Sequence, residues 1–154
     1  MAVNIDPIFS KAADIQSGGA VLGPNANTSL DGSGGSNIYS VFQADATNGG
    51  FIQKIRFKAC AAAGTTIAAT VSRAFICNVT GAFTPGSSNT VSTAWLWDEI
   101  NLPSIVISST GASSACDIPM NIALPAGYRI LITFGTSTGS AGTGWIVTVV
   151  GGKY

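Results

Sequence analysis

The stretch Phe51-Ile52-Gln53-Lys54-Ile55-Arg56-Phe57-Lys58 decides the fold class. Phe51, Ile55 and Phe57 fall on one parity and Lys54, Arg56 and Lys58 on the other, which is the period of a strand with one buried and one wet face. The same period recurs on both sides of it. Upstream, residues 37–44 set Ile38 and Phe42 on a common face. Downstream, residues 66–78 carry Ile67, Ala69, Val71, Phe75 and Cys77 on one parity and predict a single long, bent strand. Residues 104–109 are short and β-branched. Residues 115–124 place Cys116, Ile118, Met120, Ile122 and Leu124 together, but Pro119 has no N–H to give a ladder, so an edge position or a nearby bulge is expected. Residues 127–135 oppose Tyr128, Ile130, Ile132 and Phe134 to Arg129, Leu131 and Thr133, and residues 144–150 align Trp145, Val147 and Val149. These last two strands are expected to pair as neighbours.

Turn chemistry separates the strands: Gly32, Gly34 and Gly35; Asn48, Gly49 and Gly50; Pro85 and Gly86; Pro125 to Gly127; and Gly139, Gly142 and Gly144. Each supplies a dihedral or a break that other residues resist. Strong helix formers are scarce, so the chain reads as all-β, and about eight strands without helices to cover a parallel sheet predict an antiparallel two-sheet sandwich of jelly-roll type. Residues 1–14 differ. They mix Val3, Ile5, Ile8 and Phe9 with Pro7 and show no sustained alternation, which predicts an irregular N-terminal arm ordered against a neighbour. Residues 15–154 then form a single β-sandwich domain.

Chemistry is sparse. Only 9% of the 154 residues are charged and there is no histidine, against about 25% charged in an ordinary domain. Histidine is the usual proton shuttle and metal ligand, so catalysis would fall to tuned carboxylates or lysines. Asp98 and Glu99 are adjacent, but neighbours on a strand point to opposite faces. The serines have neither a histidine nor an S-x-x-K lysine to activate them. Asp31-Gly32-Ser33-Gly34-Gly35 lacks acidic ligands at alternate positions and reads as a loop, not a calcium site. Cys60, Cys77 and Cys116 have no C-x-x-C spacing and are expected to be small buried thiols. No catalytic residue, metal or cofactor is expected.

Net charge is zero and the densest basic cluster is Lys54, Arg56 and Lys58, too little to hold a phosphate backbone, so nucleic acid is not an expected partner. Residues 1–10 show no basic stretch leading into an apolar one, so no secretory signal is expected, and the longest apolar runs, such as residues 145–150, are too short for a membrane segment. The sequons at Asn27 and Asn78 then have no pathway to serve. A near-neutral surface associates readily, which predicts life in an assembly. Trp95 and Trp97 share a parity with Leu96 opposite. Two readings stay open: they plug one end of the sandwich, or they form a platform for a partner or a sugar.

The opening Ala2-Val3-Asn4-Ile5-Asp6-Pro7-Ile8-Phe9-Ser10-Lys11, the turn Ala44-Asp45-Ala46-Thr47-Asn48-Gly49-Gly50, the step Leu124-Pro125-Ala126-Gly127-Tyr128 and the ending Gly144-Trp145 through Val149-Val150-Gly151-Gly152-Lys153-Tyr154 resemble small virion structural proteins of tailed bacteriophages, in particular jelly-roll capsid decoration or cement proteins. The resemblance implies a non-enzymatic homo-oligomer, dimer or trimer, assembled in a bacterial cytoplasm and placed on the capsid exterior, where it bridges major capsid protein subunits. Candidate contact residues are Ile5, Ile8 and Phe9 of the arm, Trp95, Trp97 and the final Tyr154. The alternative is a phage tail or fibre module binding host carbohydrate or another tail protein, for which Trp95, Trp97, Asp98 and Asn101 supply aromatic and polar groups.

Overall fold

A computed structural model describes residues 11–17, 21–23, 25–33, 35 and 37–154. Ten strands and no helix make up those residues: β1 (Ala12–Ser17), β2 (Tyr39–Gln43), β3 (Gly50–Cys60), β4 (Thr66–Ile67), β5 (Thr70–Cys77), β6 (Ala94–Leu102), β7 (Ile105–Val106), β8 (Ala115–Leu124), β9 (Arg129–Phe134) and β10 (Gly144–Lys153). One four-stranded sheet runs β1-β10-β3-β8, a second runs β2-β9-β5-β6, and β4 pairs with β7 alone. Every pairing is antiparallel.

The alternation seen in the sequence becomes one shared core. Ile55 and Phe57 of β3, Ile118 and Met120 of β8 and Val147 and Val149 of β10 meet Phe42 of β2, Ile130, Ile132 and Phe134 of β9 and Ala74 and Ile76 of β5. Both sheets contribute their inner faces, the arrangement of a β-sandwich. Burying each large aliphatic or aromatic side chain here contributes about 1.5–3 kcal/mol. Trp145 and Phe57 are fully buried.

Pro119 behaves as its chemistry requires. Its strand, β8, is a sheet edge. Between the pairs Lys54–Pro119 and Ile52–Ile122, β8 also carries one residue more than β3, and Asn121 takes up the slack at a φ of 49°. Of the turn glycines, Gly32, Gly35, Gly49, Gly86, Gly127, Gly139, Gly142 and Gly144 all have positive φ, Gly50 opens β3 instead, and Gly34 lies outside the described residues.

Several expectations are corrected by register. β9 does not pair with β10: β9 lies between β2 and β5, and β10 between β1 and β3. The chain between them crosses from one sheet to the other instead of turning back as a hairpin. Phe51 was expected inside, yet Ile52 is the buried residue and Phe51 is half-buried, because Gln53 is an unpaired extra residue opposite β10 and a one-residue slip swaps the faces. Val41 is a like insertion opposite β9. It sends Phe42 to the main core while Ile38 joins a second cluster with Phe75, Cys77, Ala94 and Leu131. The long strand over residues 66–78 is two elements, β4 and β5, in different sheets.

That second cluster lies on the outer face of the β2-β9-β5-β6 sheet, under Val79, Phe83 and Leu96. Arg129 fastens the covering loop. Its Nε donates to the Val79 carbonyl at 3.1 Å and its Nη2 to the Gly81 carbonyl at 2.6 Å, with the guanidinium 5.7 Å from the Phe83 ring centre.

At the chain's start, residues 12–14, which the sequence assigned to the arm, lie in β1 opposite residues 151–153. Ile5, Ile8 and Phe9 fall outside the described residues.

Candidate functional site

Exposed aromatic surface, not a cleft, is the feature that stands out. Trp95 and Trp97 of β6 keep 42% and 45% of their area in solvent. Their placement follows from a bulge: Ala74 pairs with Asp98 and Phe75 with Leu96, leaving Trp97 as the unpaired extra residue. Leu96 turns toward the second cluster. Trp95 stands opposite Ile76 and packs edge-on against Tyr128, with ring centres 6.4 Å apart and planes at 75°. β6 is a sheet edge, so both indoles sit where the sheet ends.

The acids beside them diverge. Glu99 pairs across to Arg73, whose Nε donates to its carboxylate at 2.7 Å. Asp98, opposite Ala74, points the other way, and its Oδ1 accepts the Glu99 N–H at 2.7 Å. Asn101 lies opposite Val71, on the Glu99 side of the sheet. Trp95 and Asp98 thus share a side that Asn101 does not, and the four residues weighed for a sugar site do not converge. Tyr154 is half-buried just beyond the end of β10.

An open depression of about 460 Å³ near the far end of β6 is lined by Ala69, Thr70, Val71, Asn101, Leu102, Pro103 and Thr136. None of these side chains titrates, so the depression offers a shape without an acid or a base.

Charged groups elsewhere form local networks. On the outer face of the β1-β10-β3-β8 sheet, Asp117 accepts Lys54 Nζ at 3.0 Å and Arg56 Nε at 2.8 Å. The Arg56 hydrogen bonds hold the Asp117 carboxyl down at about 2. Asp31 is held at about 2 by the hydroxyls of Ser29 and Ser33 and by the Ser33 N–H. Asp45 is lowered by the N–H groups of Asn48 and Thr47, which close its turn. Burial raises the Cys77 thiol. Of the three cysteines only Cys77 is buried, while Cys60 and Cys116 are partly exposed, so the expectation of buried thiols holds for one.

Among the described residues no three His, Cys, Asp or Glu side chains gather as metal ligands, and no helix is long and apolar enough to cross a membrane. Asn27 of the first sequon is 6% exposed, with its side chain bonded to the Ser29 N–H and the Asn37 carbonyl. The shared parity of Trp95 and Trp97 raised exposure as one of two readings; nothing in the sequence signalled how the charges around them sort.

No family model, curated protein or solved structure matches this chain.

Proposed function

We propose that this chain is a non-enzymatic structural subunit of a phage virion, a decoration or cement protein on the capsid exterior that works by fitting against its neighbours. The observation that carries the reading is the pair of half-exposed tryptophans at the β6 edge, on a chain with few charged groups. Aromatic anchors of this kind concentrate binding energy at protein interfaces. Strand order supports the jelly-roll reading. Numbering only the eight strands of the two large sheets in chain order, the sheets run 1-8-3-6 and 2-7-4-5. Partners therefore nest as one long hairpin rolled on itself, the jelly-roll pattern. The resemblance of the opening and closing segments to phage structural proteins supplies the virion setting.

A rigid subunit touching several capsid proteins gains avidity with each added contact, so no strong single site is required. In this reading the arm residues Ile5, Ile8 and Phe9 add a further contact on the capsid or a sister copy. The test is co-sedimentation of the purified protein with DNA-filled heads lacking it. Saturable binding that raises the heat resistance of the heads, weakened by Trp95→Ala with Trp97→Ala, is the expected result. Binding to host cells or purified glycans without binding to heads overturns it in favour of the tail-module alternative, and binding to neither overturns both.

A further inference from the structure

Seven of the fourteen charged side chains of this neutral chain gather on two surfaces. The first is the outer face of the β1-β10-β3-β8 sheet. Residues opposite one another in an antiparallel pair share a face, so Lys54, Val150 and Ile15 form one row across it, Arg56, Thr148 and Ser17 a second, and Lys58 with Ile146 a third. Asp117 answers Lys54 and Arg56, while among the described residues Lys58 bonds the Ser113 carbonyl and no carboxylate. Three cations thus stand against one carboxylate. Ile15, 68% exposed, lies at the end of the first row. The other sheet's outer face has its covering loop; among the described residues no loop covers this one, where Ile15, Arg56 and Lys58 are exposed and Lys54 is half-buried.

The second surface is the β6 edge. Arg73 neutralises Glu99, but among the described residues no cation reaches Asp98, which is flanked by the exposed Trp95 and Trp97.

We propose that these two surfaces bind each other between copies of this chain, the Trp95-Trp97-Asp98 edge of one docking on the Ile15 and Lys54-Arg56-Lys58 face of the next. The signs complement, and a net charge of zero sets up no long-range repulsion between copies. Indole faces attract ammonium and guanidinium groups, and Ile15 with Val150 gives them apolar surface beside the cations. Pairing like with like fails on the same grounds: face on face opposes two basic stripes, and edge on edge brings together two uncompensated Asp98 carboxylates. The contact therefore joins unlike patches, either reciprocally in a two-fold dimer or head to tail, the latter closing into a ring or running on as a chain. The inference rests on Trp95 and Trp97 being contact residues and not on what larger assembly they serve.

Light-scattering mass of the full chain in solution tests it without any capsid. The wild type is expected to exceed its monomer mass of 15.5 kDa and to dissociate as salt rises. Trp97→Ala/Asp98→Lys disables the edge and Ile15→Glu/Lys58→Glu the face, so each variant alone is expected to be monomeric. Mixed, they retain one good edge and one good face, and should form a dimer that grows no further. A monomeric wild type at high micromolar concentration overturns the proposal whatever the variants do. So does self-association of either variant, or a mixture that stays monomeric while both variants keep the wild-type circular dichroism spectrum and melting point. Head binding by a monomeric wild type would leave the cement reading standing and this one refuted.

Discussion

The side chain of Gln16 bonds both backbone groups of Gln43: its Oε1 accepts the Gln43 N–H at 2.9 Å and its Nε2 donates to the Gln43 carbonyl at 2.8 Å. The two residues belong to β1 and β2, edge strands of different sheets, so one carboxamide stitches the sandwich along that side. Asp14 accepts a further bond from the same Nε2 at 2.8 Å. Gln16→Ala strips partners from a part-buried peptide and is expected to cost about 1–3 kcal/mol. Gln16→Glu keeps an acceptor but cannot donate to the carbonyl, and it sets a second carboxylate beside Asp14, so it should rescue little. Urea midpoints of the three proteins check this; equal midpoints would remove the stitch from the account.

Acid should unfold this protein over a window set by its carboxylates. Asp117 sits at about 2 in the folded chain against an ordinary 3.8, chiefly through its hydrogen bonds from Arg56. A carboxyl lowered by folding stabilises fully above its unfolded value and loses that contribution as pH falls toward its folded one. Stability should therefore drop from just below pH 4 down to about 2, with Asp31 and Asp45 acting in the same sense. With no histidine, the curve should stay flat from about pH 5 to 8. Asp117→Asn is expected to lower stability at neutral pH and to flatten the acid limb, as read by denaturant midpoints across the range.

Thr133 is 1% exposed, and among the described residues its Oγ1 has no hydrogen-bond partner. Thr133→Val replaces the orphaned hydroxyl with a methyl of the same shape, which should stabilise by about 1 kcal/mol. A lower melting point for the variant would show that the hydroxyl is satisfied.

Gly49 closes the turn before β3 at a φ of 81°, its N–H bonded to the Asp45 carbonyl at 3.1 Å. A Cβ here would press on the Leu124 carbonyl oxygen. Gly49→Ala therefore combines left-handed strain with a backbone clash, and about 1–3 kcal/mol of lost stability is expected. Gly64, at the same φ of 81° but with open space around it, is the control, and Gly64→Ala should cost less.

Local patterns were legible in the sequence wherever a residue's own chemistry decided the outcome. Pro119 announced an edge or a bulge, and β8 has both, while Trp145, Val147 and Val149 announced a buried face. Register was not legible. The unpaired residues Val41, Gln53 and Trp97 shift faces without any mark of their own, since a bulge is fixed by the partner strand. That is why Phe51 and Ile52 exchanged places, and why parity alone left Trp95 and Trp97 open to two readings. Pairing β9 with β10 failed similarly: adjacency in sequence favours a hairpin, while the closed sandwich places their partners far away along the chain. Gln16 gave no sign of its bond to Gln43, because nothing in a glutamine forecasts which backbone it will reach.

β10 is the middle strand between β1 and β3, yet it is built from residues 144–153. During synthesis, β1 and β3 must wait beside an empty lane until residues 144–153 have left the ribosome. A stalled or clipped product lacking that stretch would display two raw margins at once, inviting clumping or degradation. A chain without residues 144–153 therefore cannot complete the β1-β10-β3-β8 sheet.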